Sequence, residues 1–374
     1  MSKYKIVQIG LGPRGHVHMH GYLKNPDSFE VIGICDIRQD RLKAAGEKYS
    51  YGSDMLYEDA EEMLSKLKPD VMSFTTLPDV RKEMVELAVK YKVRGLLLEK
   101  PIATSVDDAK YIRDLCVDNN IKAVACHQHK YLPAFLKLRE LLDSGELGAV
   151  YKIDSACQAW LLQLGTHYMD YTIWANGGVG AKSVVGHIHG KNTLKDTHPS
   201  PDYIMGEAIM ENGVRANIQC GYFTKPQVEH HEDYENYDGR KYSDMVLSID
   251  FWMDDRLTIY GEKGYAWAEC NGRWGAFTSK TGGEPVTGNF GGYQGSDVDA
   301  QVLYTKDFIA WLDDDKKIAP CNISQAYHGH EILEAMCLSA LDRTRVDLPL
   351  KLPLKESVLE RMEKELPEIA RRKF

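Results

Sequence analysis

Residues 3–15 read KYKIVQIGLGPRG. The opening residues alternate and are rich in β-branched side chains, as a strand requires, and they run straight into Gly10-Leu11-Gly12-Pro13-Arg14-Gly15 and a segment of helix length. Gly10 permits the tight turn, Gly12 admits a pyrophosphate to the backbone with no Cβ in the way, and Gly15 lets the following helix pack closely on the strand. The helix start then offers its unbonded N–H groups to the phosphates. A glycine pattern alone matches many loops, so the next strand decides. It reads FEVIGICD and ends in Asp36, 21 residues beyond Gly15, where a carboxylate accepts hydrogen bonds from an adenine-ribose diol. The same carboxylate repels a 2′-phosphate, which favours NAD over NADP. Arg38 and Arg41 follow closely and soften that preference, while Arg14, inside the turn, is assigned to the pyrophosphate.

The alternation continues with helices at about 38–49, 58–66, 79–91 and 105–118 and the apolar strands DVMSFTTL, RGLLLE and KAVAC. This predicts a doubly wound parallel sheet with helices on both faces and ligands outside the carboxyl ends of the strands. Thr76, in DVMSFTTL, joins the cofactor set. From Ala149 the pattern changes to strands separated by turns: AVYKIDSA, KSVVGHIHG, YIMGEAIME, VRANIQCGY and RLTIYGEKGYAWAEC. These predict a largely antiparallel, open-faced sheet, and residues 297–314 and 325–341 return as helices. The fold class expected is therefore α/β plus α+β, with a Rossmann domain over 1–125 and a substrate-binding and oligomerisation domain over 126–374.

With 374 residues and 43 % hydrophobic side chains, the chain has enough apolar material for two such domains. Forty-six basic against 55 acidic residues give −9, so neither nucleic acid nor an anionic membrane is an expected partner. The eight cysteines lie scattered in apolar runs without a CxxC pair and read as reduced core thiols. The amino-terminal stretch has no signal-peptide core, and no 18-residue apolar segment follows, so a cytoplasmic protein is expected.

Chemistry concentrates first at Glu99-Lys100-Pro101, an ionisable pair at the carboxyl end of a core strand. A partly desolvated lysine beside a nicotinamide positive charge has a lowered pKa and serves as a proton relay or a clamp on a substrate hydroxyl. The structural alternative is an ion pair of Glu99 with Lys100 that caps the strand.

The glycine turn, Glu99-Lys100-Pro101, the segment GTHYMD and the distal SQAYHGHEILEAMCLSALDRTRVDLPL together resemble the glucose-fructose oxidoreductase, inositol dehydrogenase and MocA (Gfo/Idh/MocA) family over almost the whole chain. The resemblance implies that Glu99 and Lys100 line the cofactor and active site and that a D-x-G-x-H-x-x-D segment brings a histidine to the substrate. Here that segment is Gln163-Leu164-Gly165-Thr166-His167-Tyr168-Met169-Asp170, with glutamine where the acid often stands. Thr166 is expected to cap a helix beginning at His167, whose ring the positive helix end keeps neutral and able to take a proton. His167 is the expected general base, assisted by Lys100. Asp170 either orients the ring or secures the helix. Gln163 can hydrogen-bond a sugar hydroxyl or Lys100 but cannot carry a proton. In ACHQHKYLPAF, His127, Lys130 and Tyr131 are candidate substrate contacts.

Among the thirteen histidines, His187 and His189 of HIH share a strand face without a third ligand at recognisable spacing, and His16 and His20 of HVHMH share a helix face beside the nucleotide, where they pack or touch phosphate, so no metal is expected. The acid- and tyrosine-rich loop 226–244 is either a solvated insertion or a lid. The leading expectation is an NAD-dependent oxidoreductase of a sugar, glycoside or cyclitol, working as a homo-oligomer, dimer or tetramer. The alternatives are a redox-assisted glycosidase or lyase that retains NAD through a transient keto-sugar, and a non-catalytic nucleotide-binding regulator.

Overall fold

The computed structural model describes residues 3–221, 224, 254–291 and 293–369, so loop 226–244 lies outside the described residues. In chain order the first elements are β1 (Tyr4–Ile9), α1 (Pro13–Leu23), β2 (Phe29–Cys35), α2 (Gln39–Tyr49), β3 (Leu56–Tyr57), α3 (Ala60–Leu67), β4 (Val71–Phe74), α4 (Arg81–Lys90), β5 (Gly95–Leu98), α5 (Val106–Asp118) and β6 (Lys122–Ala125). There follow α6 (Pro133–Asp143), β7 (Val150–Cys157), α7 (Thr166–Ala175), β8 (Ala181–His189), β9 (Tyr203–Met210), β10 (Arg215–Gly221), β11 (Asp255–Gly261), β12 (Gly264–Ala268), β13 (Arg273–Thr278) and β14 (Val286–Asn289). The chain ends through α8 (Tyr293–Asp313), α9 (Ile323–Asp342), β15 (Val346–Asp347) and α10 (Val358–Glu365).

Strands β1 to β6 form one parallel sheet in the order β3-β2-β1-β4-β5-β6. The chain leaves β1 toward β2 on one side and returns to β4 on the other, so the order reverses beside β1. A ligand crevice opens at such a point. Ile6, Val7, Val71, Met72, Leu96, Leu97 and Leu98 are completely buried, as strands covered on both faces must be. Gly10 has φ +85°, and a Cβ on Gly15 would stand 2.1 Å from the Gly10 carbonyl oxygen. Both glycines are therefore required by the turn itself.

The compact units are residues 1–131 with 297–327, and residues 132–296 with 328–374. The sequence reading put its boundary at 125/126 and left 297–327 in the second domain. Most of α8 instead packs on the first sheet. A Cβ on Gly95 would meet the Phe308 ring at 2.7 Å, and Tyr304 donates to the Val124 carbonyl at 3.1 Å. The helical spacing of this segment was legible, but which sheet it covers depends on shape complementarity with glycines some 200 residues earlier.

The second unit carries a nine-stranded sheet, β14-β13-β12-β11-β7-β10-β9-β8-β15, antiparallel except for the β7–β10 pair. Its buried side chains alternate with half-exposed ones, for example Ile153, Ser155 and Cys157 along β7. One face is thus covered by helices, and a Cβ on Gly186 would stand 2.2 Å from the Met336 carbonyl oxygen of α9. The eight cysteines are buried and free. No helix among the described residues is long and apolar enough to cross a membrane.

Candidate active site

In the first unit the glycine turn and the end of β2 are joined by hydrogen bonds. Asp36, 6 % exposed, accepts from the Leu11 N–H at 2.7 Å and from the Arg38 N–H at 2.9 Å. Each carboxylate oxygen retains a lone pair for a further donor. α1 begins with Pro13, and Gly12 before it supplies no side-chain cap, so the first-turn N–H groups are left for an anion. A Cβ on Gly12 would meet nothing nearer than the Arg41 guanidinium at 3.5 Å. Packing within the protein therefore does not call for glycine there, whereas a phosphate against the backbone does. Ile37 is 88 % and Leu77 55 % exposed, at the ends of β2 and β4 on either side of this turn. They offer apolar surface to a flat ring. The sequence reading missed both, although an apolar residue directly after Asp36 was the available signal.

The arginines divide differently from expectation. Arg38 is taken by Asp40 at 2.6 Å, on the surface. Arg41 is the one that stands over the glycine turn. Arg14, assigned to the pyrophosphate, instead bonds Glu99 at 2.7 Å and Asp297 at 3.1 Å. The Asp297 carboxylate comes from α8, which the sequence reading did not connect with this place.

Glu99 is the hub of a buried network: it also accepts from His18 at 3.2 Å and from the Lys100 N–H at 3.2 Å. Burial alone would raise its pKa, but Arg14, then His18 and Lys100, hold the carboxylate well below its usual range. His18 Nδ1 meets Ser73 at 3.1 Å, while His16 turns to Tyr49 at 2.8 Å rather than to a phosphate. His18, Glu99 and Cys126 bring three metal-capable atoms within 4.8 Å of one another. Arg14 lies on both Glu99 and Cys126, the latter at 3.5 Å, and already supplies the positive charge at that point.

The Lys100 amine is brought down to about 8, first by burial and then by the Arg14 and Arg81 guanidiniums, against the pull of Glu99. The desolvation expected from the sequence is the largest cause, and the neighbouring guanidiniums add to it within the protein itself. Arg81, absent from the sequence reading, is 2 % exposed and donates to the Thr76 carbonyl at 2.9 Å and the Lys100 carbonyl at 3.2 Å. The Thr76 hydroxyl is buried without a hydrogen-bond partner among the described residues.

The candidate substrate contacts after β6 are drawn inward. Lys130, 1 % exposed, donates to the Pro320 carbonyl at 2.9 Å, and Tyr131 donates to Asp307 at 2.5 Å. His127 is buried, and its carbonyl accepts from Cys321 at 3.6 Å. Structural roles account for these contacts of Lys130 and Tyr131. Neighbouring His129, 3.7 Å from Asp297, is kept neutral by burial, its pKa lowered to about 4.

Gln163, His167 and Asp170 belong to the second unit. Residues Leu161–Gly165 form a π-turn that runs straight into α7 at Thr166. Thr166 is therefore inside the helix rather than its cap, and its hydroxyl is buried with no partner among the described residues. A Cβ on Gly165 would lie 2.9 Å from Cys220 Sγ, which fixes this turn against β10. His167 is 2 % exposed, and its Nδ1 meets the Tyr171 hydroxyl at 2.8 Å. Tyr171 sits one helical turn on, a spacing that was open to reading in the sequence. It is held in turn by the rings of Phe135 and Tyr168, at 5.1 and 5.4 Å between centroids. Asp170 is completely buried and Gln163 half-buried.

Residues 4–151 match the GFO_IDH_MocA family, described as "Oxidoreductase family, NAD-binding Rossmann fold". Among curated proteins, D-apiose dehydrogenase of Paraburkholderia graminis is 27 % identical over 151 residues, which are 40 % of this chain and 39 % of that protein. D-glucoside 3-dehydrogenase of Escherichia coli is 25 % identical over 206 residues, 50 % of this chain and 58 % of that protein. The chain thus spans about two fifths to three fifths of the length of these curated relatives. Among solved structures, an inositol dehydrogenase homolog from Azotobacter vinelandii, complexed with NADH and myo-inositol, superposes with a TM-score of 0.73 at 14 % identity, covering 93 % of this chain and 98 % of that one. Its fold is the one described above. The glycine turn, the Asp36 clasp and the Glu99-Lys100 corner all lie inside residues 4–151, the part of this chain that matches the NAD-binding Rossmann fold of the GFO_IDH_MocA oxidoreductase family.

Proposed function

We propose that the protein is an NAD-dependent dehydrogenase of a sugar, glycoside or cyclitol. The observation that carries this reading is Lys100, an amine brought into the range where it exchanges protons near neutral pH, at the carboxyl end of β5 in an NAD-binding Rossmann half. The names of the relatives, which include dehydrogenases of apiose and glucosides, supply the substrate class.

When bound, nicotinamide supplies the acceptor for the carbinol hydride. The turn Gly10–Gly15 and the start of α1 hold the pyrophosphate, Asp36 the ribose diol, and Ile37 with Leu77 flank the adenine. His167 takes the hydroxyl proton. The Tyr171 hydroxyl, 2.8 Å from Nδ1, holds the ring in place. Lys100 stabilises the oxygen as negative charge develops on it. Gln163 hydrogen-bonds a substrate hydroxyl, and Asp170 anchors α7 beneath the histidine. Asp36 sets a preference for NAD, and the half-exposed face of the nine-stranded sheet, with Tyr151, Val185 and Met205 outward, is the self-association surface.

The test is reduced-nicotinamide absorbance across polyols, sugars and sugar acids, with His167→Ala alongside. Wild-type turnover by the variant would remove His167 as the base. Products that appear with NAD retained and no net NADH would favour the redox-assisted elimination, for which Gln163 in place of an acid is the motive.

A further inference from the structure

Arg81 opens α4 in a segment, VRKEM, that reads as a solvated helix start, yet its guanidinium is 2 % exposed. Only Nη2 is engaged, by the Thr76 and Lys100 carbonyls, and Nε and Nη1 are buried with no partner among the described residues. Burial pulls this guanidinium down to about 10, so it remains charged at neutral pH. A buried charge held only by carbonyls is costly. Joining two carbonyls does not need it, since a neutral amide offers two donors. What Arg81 adds is a fixed positive charge directly behind Lys100.

We propose that Arg81 is a positioning residue for Lys100: it clamps the Lys100 carbonyl and, through its buried charge, holds the side-chain amine in readiness to accept and return a proton. The proposal rests on the reading that Lys100 serves hydride transfer from a hydroxyl-bearing carbon. Among the described residues, the other charged and titratable groups that act on Lys100 include Glu99, on its own turn, Arg14 from α1, and Cys126 and His129 beyond β6. Glu99 opposes Arg81, and Arg14 reinforces it. Since Arg14 is neutralised by Glu99 and Asp297 at 2.7 and 3.1 Å, Arg81 is the less compensated of the two cations.

The test is competitive acetylation of Lys100 by acetic anhydride on the full-length protein over a pH series, read by peptide mass spectrometry. It needs neither cofactor nor substrate. The wild-type midpoint should lie well below that of an exposed lysine, and a midpoint at the ordinary lysine value overturns the proposal with no variant at all. In Arg81→Met the midpoint should rise by about one unit, roughly a tenfold loss of neutral amine at the wild-type midpoint. Arg81→Lys, which keeps the charge, should remain near wild type. Arg81→Gln, able to bridge both carbonyls without charge, is the neutral arm if the methionine variant fails to fold. A neutral variant that folds and keeps the wild-type midpoint refutes the role. Once a substrate is found, the alkaline limb of kcat against pH should move with the same variants. Failure to find any oxidised sugar would count against the dehydrogenase reading and leave the labelling result standing.

Discussion

The carboxyl ends of β2 and β5, two interior strands of the first parallel sheet, handle charge in opposite ways. At the end of β2, the charged side chains pair locally at the surface, Arg38 closing on Asp40 two residues away, and the one buried carboxylate, Asp36, accepts from the Leu11 and Arg38 N–H groups. At the end of β5, Glu99 is shared by Arg14, His18 and the Lys100 backbone, and Arg81 stands behind them. An exposed pair can be removed with little effect, because water replaces each partner. A buried one cannot, because each group that remains is left desolvated and uncompensated. The end of β2 is thus suited to selecting a cofactor, and the end of β5 to altering the proton affinity of an amine.

The largest separation should come from Lys100→Met. Its kcat is expected to fall by about 10²–10⁴-fold, the usual reach of a positioned proton-handling group, with NAD affinity nearly unchanged. Calorimetric titration alongside initial rates measures both, and a kcat within threefold or so of wild type would merge the two strand ends into one binding surface. The same variant has a signature in stability. The folded-state pKa of Lys100 lies below that of an unfolded lysine, so above about 8 the unfolded chain binds the extra proton and wild-type stability rises with pH. Lys100→Met, free of the buried ammonium, should be more stable than wild type at neutral pH. That advantage should shrink as pH climbs through the region above 8, as urea melts at several pH values would reveal.

Glu99→Leu should cost about 3–5 kcal/mol in urea denaturation, since it removes the buried carboxylate shared by Arg14, His18 and the Lys100 N–H and leaves Arg14 with Asp297 as its remaining ion-pair partner among the described residues. Because the native carboxylate titrates below its unfolded value, its contribution is fully present above the ordinary glutamate pKa and disappears only as pH falls well beneath it. The gap between wild type and variant should therefore be flat near neutrality and narrow in strong acid; a gap that is already small at neutral pH would mean the network is solvated.

Asp36→Ser should shift preference toward NADP on the order of a hundredfold, several kcal/mol of like-charge contact being removed while Arg41 stays over the turn. Titration of both dinucleotides into both proteins gives the ratio, and a wild type that binds NADP as tightly as NAD would show Asp36 turned away from the ribose. The smallest effect belongs to Arg38→Ala, whose melting temperature should match wild type within error. A clear drop would contradict the contrast drawn between the two strand ends.

The sequence alone determined whatever depends on local rules. Alternation, β-branched content and glycines gave the strands, helices and turn of the first sheet, with β1, α1 and β2 close to where they were expected. That Asp36, Glu99 and Lys100 directly follow the carboxyl ends of β2 and β5 was legible, because each comes straight after an apolar strand run. The change to an open-faced sheet was equally plain from the strand-like runs separated by turns after Ala149. The tertiary structure decided what depends on pairs distant in sequence. No local pattern says that α8 returns to the first sheet with Asp297 for Arg14, that Lys130 and Tyr131 turn inward, or that Thr166 continues a π-turn instead of capping a helix. Nor does VRKEM reveal that Arg81 points into the protein behind Lys100. Helical and strand periodicity is a property of the chain's own backbone, whereas the charge and desolvation that tune a side chain are set by whichever groups the fold brings within a few ångströms of it.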